Sequence, residues 1–211
     1  MKRALKAVAI VAVATLGTAC SGESDGDAQP VASNSSVVEV PSSEAGTEGL
    51  PHSGAPAVAN PLPESVLAGD PCADAVTEEQ AKELLGDAVT HERADEERLG
   101  PGCNWTNSDS GAAFRLNYDT KSRQGLSGDY ANSKPKMAIF NELEPIDGFP
   151  AVAYKKAEDD LMCTTSVGLS DEYGFVLSVS LGYEGEEAGD DPCDGGRIVA
   201  EQIVSNLKAK A

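Results

Sequence analysis

The sequence is poor in aromatic residues, histidine, positive charge and long apolar runs. Phe, Trp and Tyr supply 5% of 211 residues, which is thin for a core spanning the whole chain. Part of the chain is therefore expected to lie outside the folded core. No stretch of ~18 consecutive apolar residues occurs, which argues against an ordinary membrane-spanning helix. Sixteen Lys and Arg stand against 35 Asp and Glu, for a formal net charge of −19. Such a chain repels phosphate, so a nucleic-acid partner is not expected. Adhesion to anionic lipid through a basic patch is disfavoured for the same reason.

The acidity is unevenly spread. Residues 1–19 hold three basic side chains and no acidic one. Met1 to Lys6 form a basic leader, Ala7 to Leu16 an uncharged apolar stretch, and Gly17-Thr18-Ala19 a run of small residues before Cys20. Basic, apolar and small in that order define a secretory signal. A cysteine after it resembles a bacterial lipoprotein signal, in which the cysteine receives a diacylglycerol with palmitate-type acyl chains and becomes the new N-terminus. The usual Leu three places before the cysteine is here Gly17, with Leu16 one further back. The alternative is an ordinary secretory cut after Ala19. Removing Cys20 from the five cysteines leaves four, an even set suited to disulfides outside the cell. Two buried acyl chains make a stable anchor.

Residues 20–69 read as a disordered acidic tether. Beyond Cys20 they contain no Lys, Arg, Cys or aromatic residue, and too little apolar surface to offset ordering entropy. Their coil would span roughly 40 Å. His52, inside that tether, has no expected role.

Residues 70–211 read as a single domain. Thr77-Glu78-Glu79-Gln80 has capping-box form and opens a short helix that Gly86 ends. Strands are expected at Cys103–Thr106, at Ala113–Tyr118, from Met137 to Phe140 and at Ala151–Tyr154. Leu161–Leu169 and Tyr173–Leu181 form a hairpin. In Ala113–Tyr118 the residues Phe114, Leu116 and Tyr118 share one face, Arg115 and Asn117 the other. Residues 120–135 read as a loop or weak helix. Pro192 to Lys208 is a helix with Ile198, Val199, Ile203 and Leu207 on one stripe. The expected fold class is α+β: an antiparallel sheet of about five to six strands, flanked by an N-terminal and a C-terminal helix on one face. Asp70-Pro71-Cys72 and Asp191-Pro192-Cys193 each open a helical region, with Asp suited to the N-cap and Pro to the first turn.

These motifs carry a resemblance. Asp70-Pro71-Cys72, Cys103-Asn104-Trp105, Ile146-Asp147-Gly148-Phe149-Pro150-Ala151, Cys163 to Val167, and Asp191-Pro192-Cys193 with Asn206-Leu207 occur in order behind the signal. The chain resembles the actinobacterial lipoprotein family catalogued as domain of unknown function 3558. The resemblance implies a Gram-positive envelope lipoprotein with no established activity, and it carries over no catalytic residue.

Four cysteines allow three pairings. Cys72–Cys103 with Cys163–Cys193 is the favoured one, tying each helix start to a strand. Cys72–Cys193 with Cys103–Cys163 is the rival. No Cys-x-x-Cys occurs, so a zinc site is not expected, and no other metal or cofactor is called for.

Candidates for catalysis are few. His91 lies in the charged stretch Val89 to Glu97, no Gly-x-Ser-x-Gly elbow exists, and a surface histidine is expected. Trp105 beside Cys103 is expected to pack in the core rather than serve as a sugar platform. Glu184 to Asp191 reads as a solvated acidic loop; its oxygen density suits weak Ca²⁺ binding, but EF-hand spacing is missing. Lys134-Pro135-Lys136 and Lys155-Lys156 could contact anionic glycopolymer or lipid, but on an acidic domain they read as solubilising or strand-edge charges. The expected function is a non-catalytic binding or interaction domain, held at the outer face of the cell membrane through Cys20. Its ligand is an unspecified protein, glycan or small molecule. The alternative is a secreted hydrolase or enzyme-accessory protein of the envelope.

Overall fold

Two Asp-Pro-Cys tripeptides start helices by the same device. The Asp70 and Asp191 carboxylates each accept from the backbone N–H of the cysteine two residues on, both at 3.0 Å. Proline then occupies the first turn of α1 (Pro71–Asp74) and of α5 (Pro192–Lys208). Each cap thereby presents a cysteine to a strand, giving the disulfides Cys72–Cys103 and Cys163–Cys193, with Cα separations of 5.1 and 5.0 Å. The computed structural model describes residues 49–211. The signal expected at 1–19, the acylation expected at Cys20 and the tether expected as far as residue 48 fall outside the described residues.

Between these helices the chain forms α2 (Glu78–Leu85), β1 (Val89–Arg93), β2 (Gly102–Asn107), β3 (Ala113–Asp119), α3 (Leu126–Asn132), β4 (Ile139–Ile146), β5 (Phe149–Lys155), β6 (Met162–Gly168), β7 (Gly174–Ser180) and α4 (Gly182–Ala188). The seven strands make one antiparallel sheet in the order β1-β2-β3-β7-β6-β5-β4. The fold is α+β, as expected, with more strands than the expected five to six. The extra strand is β1: its sequence VTHER is charged and exposed, the composition of a protected sheet edge rather than of a core strand. β4 and β5 turn at Asp147-Gly148, both at positive φ, where Asp-Gly is the favoured two-residue pair.

One sheet face is apolar and closed. Trp105, Phe114, Leu116, Tyr118, Phe175 and Leu177 lie on it, all 1% exposed or less. α2 and α5 contribute Ala81, Val199, Ala200, Ile203, Val204 and Leu207 to the same cluster, so both helices share one face. Gly196 lets α5 approach β6 closely, since a Cβ there would meet Thr165 Oγ1 at 2.6 Å. The helices are joined by a reciprocal amide pair. Asn206 donates to Gln80 Oε1 at 2.8 Å and to the Ala75 carbonyl at 2.9 Å, and Gln80 donates back at 3.2 Å. Ile198, placed on the apolar stripe from sequence, is 58% exposed. It lies one residue, or about 100°, from Val199, and the packed side falls on Val199, Ile203 and Leu207 instead.

The expected tether boundary at residue 69 is corrected by about twenty residues. Gly49 to Gly69 run against the domain. The His52 N–H donates to Ser127 Oγ at 2.9 Å, Val58 N–H to Asp171 at 2.8 Å, and Leu62 N–H to the Leu169 carbonyl at 3.0 Å. Tyr173 Oη donates to the Leu62 carbonyl at 2.7 Å. A 3-10 turn at Glu64–Leu67 then buries Val66 and Leu67. The average composition of 20–69 is that of a linker. A few apolar anchors at its C-terminal end, each met by a backbone or side-chain acceptor, are enough to seat it. The acidic stretch at 184–191 is likewise no loop: α4 takes most of it and ends at Gly189 in the left-handed region.

Candidate functional site

The opposite sheet face is polar. Cross-strand register aligns Asn104, Arg115, Ser178, Thr164, Tyr154 and Phe140 in one row from β2 to β4. The next row is Asn117, Val176, Ser166, Val152 and Glu142. Strands alternate faces with a period of two, so the apolar order of one face dictates what the other shows.

α3 covers only part of this face. Leu126 and Tyr130 pack on Val152, with Phe140 and Tyr154 alongside, and Tyr130 meets Phe140 edge-on at 5.3 Å. Between α3 and the Glu96–Leu99 segment lies a cavity of about 670 Å³ floored by β3 and β7, with Arg115, Asn117, Asp119 and Ser178 in its wall. A second recess of about 740 Å³ runs past Lys156, Leu161, Met162 and Thr164. Met137 and Tyr154 line both, so the two form one trough across the sheet.

The trough's polar groups are partly committed and partly open. Arg115 Nε donates to Asn117 at 3.2 Å, and Nη2 to the Ala94 carbonyl at 3.1 Å. Asp119 is buried and takes both the N–H and the hydroxyl of Ser122, at 3.3 and 2.7 Å. Burial nevertheless raises its carboxyl above the ordinary range, against those two bonds. Asp129, on α3, accepts from Tyr154 Oη at 2.9 Å and from Ser133 Oγ at 3.4 Å, both at Oδ1. Burial pushes its carboxyl up to about 6, while the hydroxyls of Tyr154 and Ser166 pull back and the Asp119 charge adds to the rise. Tyr154 is raised too, by burial and then by the Asp129 charge. Ser166 Oγ lines the same corner, is buried, and completes no well-aligned hydrogen bond among the described residues.

The residues singled out from sequence sit elsewhere. His91 is on exposed β1, facing the closed side of the sheet, with its ring 6.4 Å from that of Trp105. Trp105 stacks on Phe114 at 4.7 Å inside the core. Lys134 pairs with Glu142 at 3.1 Å and lies over the Tyr130 ring at 4.5 Å. Lys155 departs from the solubilising role expected of it: it is buried, 3.9 Å from Asp191. Cys20 lies outside the described residues. Among the described residues no three His, Cys, Asp or Glu side chains group to hold a metal ion.

A family model described as protein of unknown function (DUF3558) matches residues 15–206. The chain belongs to this family. No curated protein and no solved structure matches it. The matched span includes the whole trough and both disulfides.

The trough residues were missed at the level of sequence, although part of the signal was present. Arg115 and Asn117 were visible as the polar side of one strand. Thr164 and Ser166 in one strand, and Ser178 and Ser180 in the next, repeat hydroxyls with a period of two. Three neighbouring strands with polar alternates mean a sheet whose second face is wet. The meeting of Asp129 with Tyr154 had no local signal.

Proposed function

We propose that this DUF3558 chain is an actinobacterial-type envelope lipoprotein. It is anchored at the outer face of the cell membrane by an acylated Cys20, and its domain is a non-catalytic binding module. The observation that carries the binding reading is the polar trough, a preformed concavity of ligand size on the one sheet face the helices leave open. Its lining is rich in hydrogen-bonding groups that fix a ligand's orientation. His91 faces the other side of the sheet, so the trough has no imidazole to serve as a base. Two disulfides support an oxidising address. The basic leader, apolar stretch and Cys20 support the anchor.

The anchor is tested by feeding cells an alkyne fatty acid and comparing the natural chain with Cys20→Ser. Label and membrane fractionation are expected for the first and loss of both for the second. A label that survives the substitution refutes acylation at Cys20. The binding module is tested by amide chemical shifts under ligand titration: perturbations confined to the open-face strands β3, β5, β6 and β7, to α3 and to the segments 96–99 and 156–162 are expected, and shifts elsewhere assign the site to another surface.

A further inference from the structure

The trough holds as many basic as acidic side chains, five of each with Glu96, Asp159 and Asp160 among the acids, on a domain that is otherwise strongly acidic. Residues 71–211 carry 13 Lys and Arg side chains. Eight of them form ion pairs: Arg93, Arg115, Arg123, Lys134, Lys155, Arg197, Lys208 and Lys210. Of the five that form no ion pair among the described residues, Arg98 and Lys136 line the first cavity and Lys156 the second. All three are exposed at the rim. Arg115 adds an Nη1 that makes no hydrogen bond among the described residues, inside the trough.

The interior carries the opposite chemistry. Asp119 and Asp129 are acceptors, and Asp129 Oδ2 takes no hydrogen bond among the described residues. Ser178 and Thr164 share one bond at 3.3 Å and retain free lone pairs. A polyanion without donors would be repelled by the two carboxylates. A neutral sugar would leave the rim cations unused. A zwitterionic peptide end brings one carboxylate to several cations. The ligand that satisfies both zones has hydroxyl donors for the interior and several carboxylates for the rim.

We propose that the trough binds an acidic oligosaccharide: its hydroxyls donate to Asp119 and Asp129, and its carboxylates lie against Arg98, Lys136 and Lys156 with Arg115 between. This rests on the binding-module reading. Guanidinium–carboxylate pairing supplies geometry, and the rim ammonium groups supply charge.

The test is amide-shift titration of the secreted chain carrying Cys20→Ser. The four probes are tetragalacturonate, its fully methyl-esterified form, a glycerol-phosphate oligomer and trialanine. Tetragalacturonate is expected to perturb trough amides and to bind at least tenfold more tightly than the ester, which keeps the skeleton and removes the charge. The triple variant R98Q/K136Q/K156Q is expected to lose at least tenfold in affinity at unchanged melting temperature, because all three side chains are exposed. Equal binding of the ester, an unaffected triple variant, or tighter binding of trialanine or the glycerol-phosphate oligomer overturns the acidic saccharide and leaves the binding module standing. Silence from all four at millimolar concentration overturns both.

Discussion

The two faces of the sheet are built from the same strands and hold opposite chemistry. The closed face has Trp105, Phe114, Leu116 and Leu177 under α2 and α5, and the disulfides staple each of α1 and α5 to it. The open face has Arg115, Asn117, Ser166 and Ser178, with α3 over part of it and the buried Asp119 and half-buried Asp129 in its corner. The closed face satisfies itself by burial. The open face leaves donors, acceptors and charges in place, at a cost in stability that a packed face would not bear. Stability and recognition are thereby assigned to different sides of one sheet.

Substitutions should separate the two faces by magnitude. The largest effect belongs to Trp105→Ala on the closed face. Losing a fully buried indole stacked on Phe114 is expected to cost about 3–5 kcal/mol, read from urea unfolding. A cost below about 1 kcal/mol would mean that the closed face does not carry the fold. Next comes the Cys163→Ser/Cys193→Ser pair, which opens a loop of 30 residues. Chain-entropy arithmetic gives a loss of roughly 3–4 kcal/mol in denaturation midpoint terms, and the same for Cys72–Cys103.

The open face predicts a pH effect of intermediate size. Asp129 titrates near 6 in the fold, against a reference value of 3.8. The native state therefore holds the extra proton between those values. The stability this lends is full below about pH 4 and lost as pH rises through about 6. Asp129→Asn, which keeps an acceptor for Tyr154, is expected to flatten that slope and to raise stability at pH 8 by on the order of 2 kcal/mol. Thermal melts from pH 4 to 8 decide it, and an unchanged slope would place the titration on another group. The smallest effect is Ser166→Ala. Its hydroxyl makes no well-aligned hydrogen bond, so the change is expected within about 0.5 kcal/mol of neutral. A loss above about 1 kcal/mol would show that the hydroxyl is satisfied after all, and the open face would then resemble the closed one.

Local chemistry made much of the fold legible in the sequence. The capping box at Thr77 and Gln80 forms as its spacing requires, with both bonds present. The Asp-Pro-Cys caps, the strand alternation at Phe114, Leu116 and Tyr118, and the Asp147-Gly148 turn are all short-range. In each, the partner lies within a few residues, so the pattern contains its own explanation. What stayed hidden required a partner far along the chain. Val66 and Leu67 look like linker residues until the domain offers them a core. β1 looks like a charged loop until Trp105 and its neighbours on β2 pair with it. Ile198 and Val199 are equally apolar, and only the direction from which the sheet approaches α5 buries one and exposes the other.

The candidate site divides in the same way. From the sequence alone come the acidic balance, the α+β class and the polar character of alternate strand positions. Each follows from composition or from a period of two or 3.6 residues. The tertiary structure decided that those polar positions fall on neighbouring strands of one sheet. It placed α3 over only part of that face, and it brought Asp129, 25 residues distant in sequence, to the hydroxyl of Tyr154. It also left Arg98, Lys136 and Lys156 along the trough without an ion pair among the described residues. A trough is a relation between segments, fixed by strand order and helix placement, and no single segment of the chain contains it.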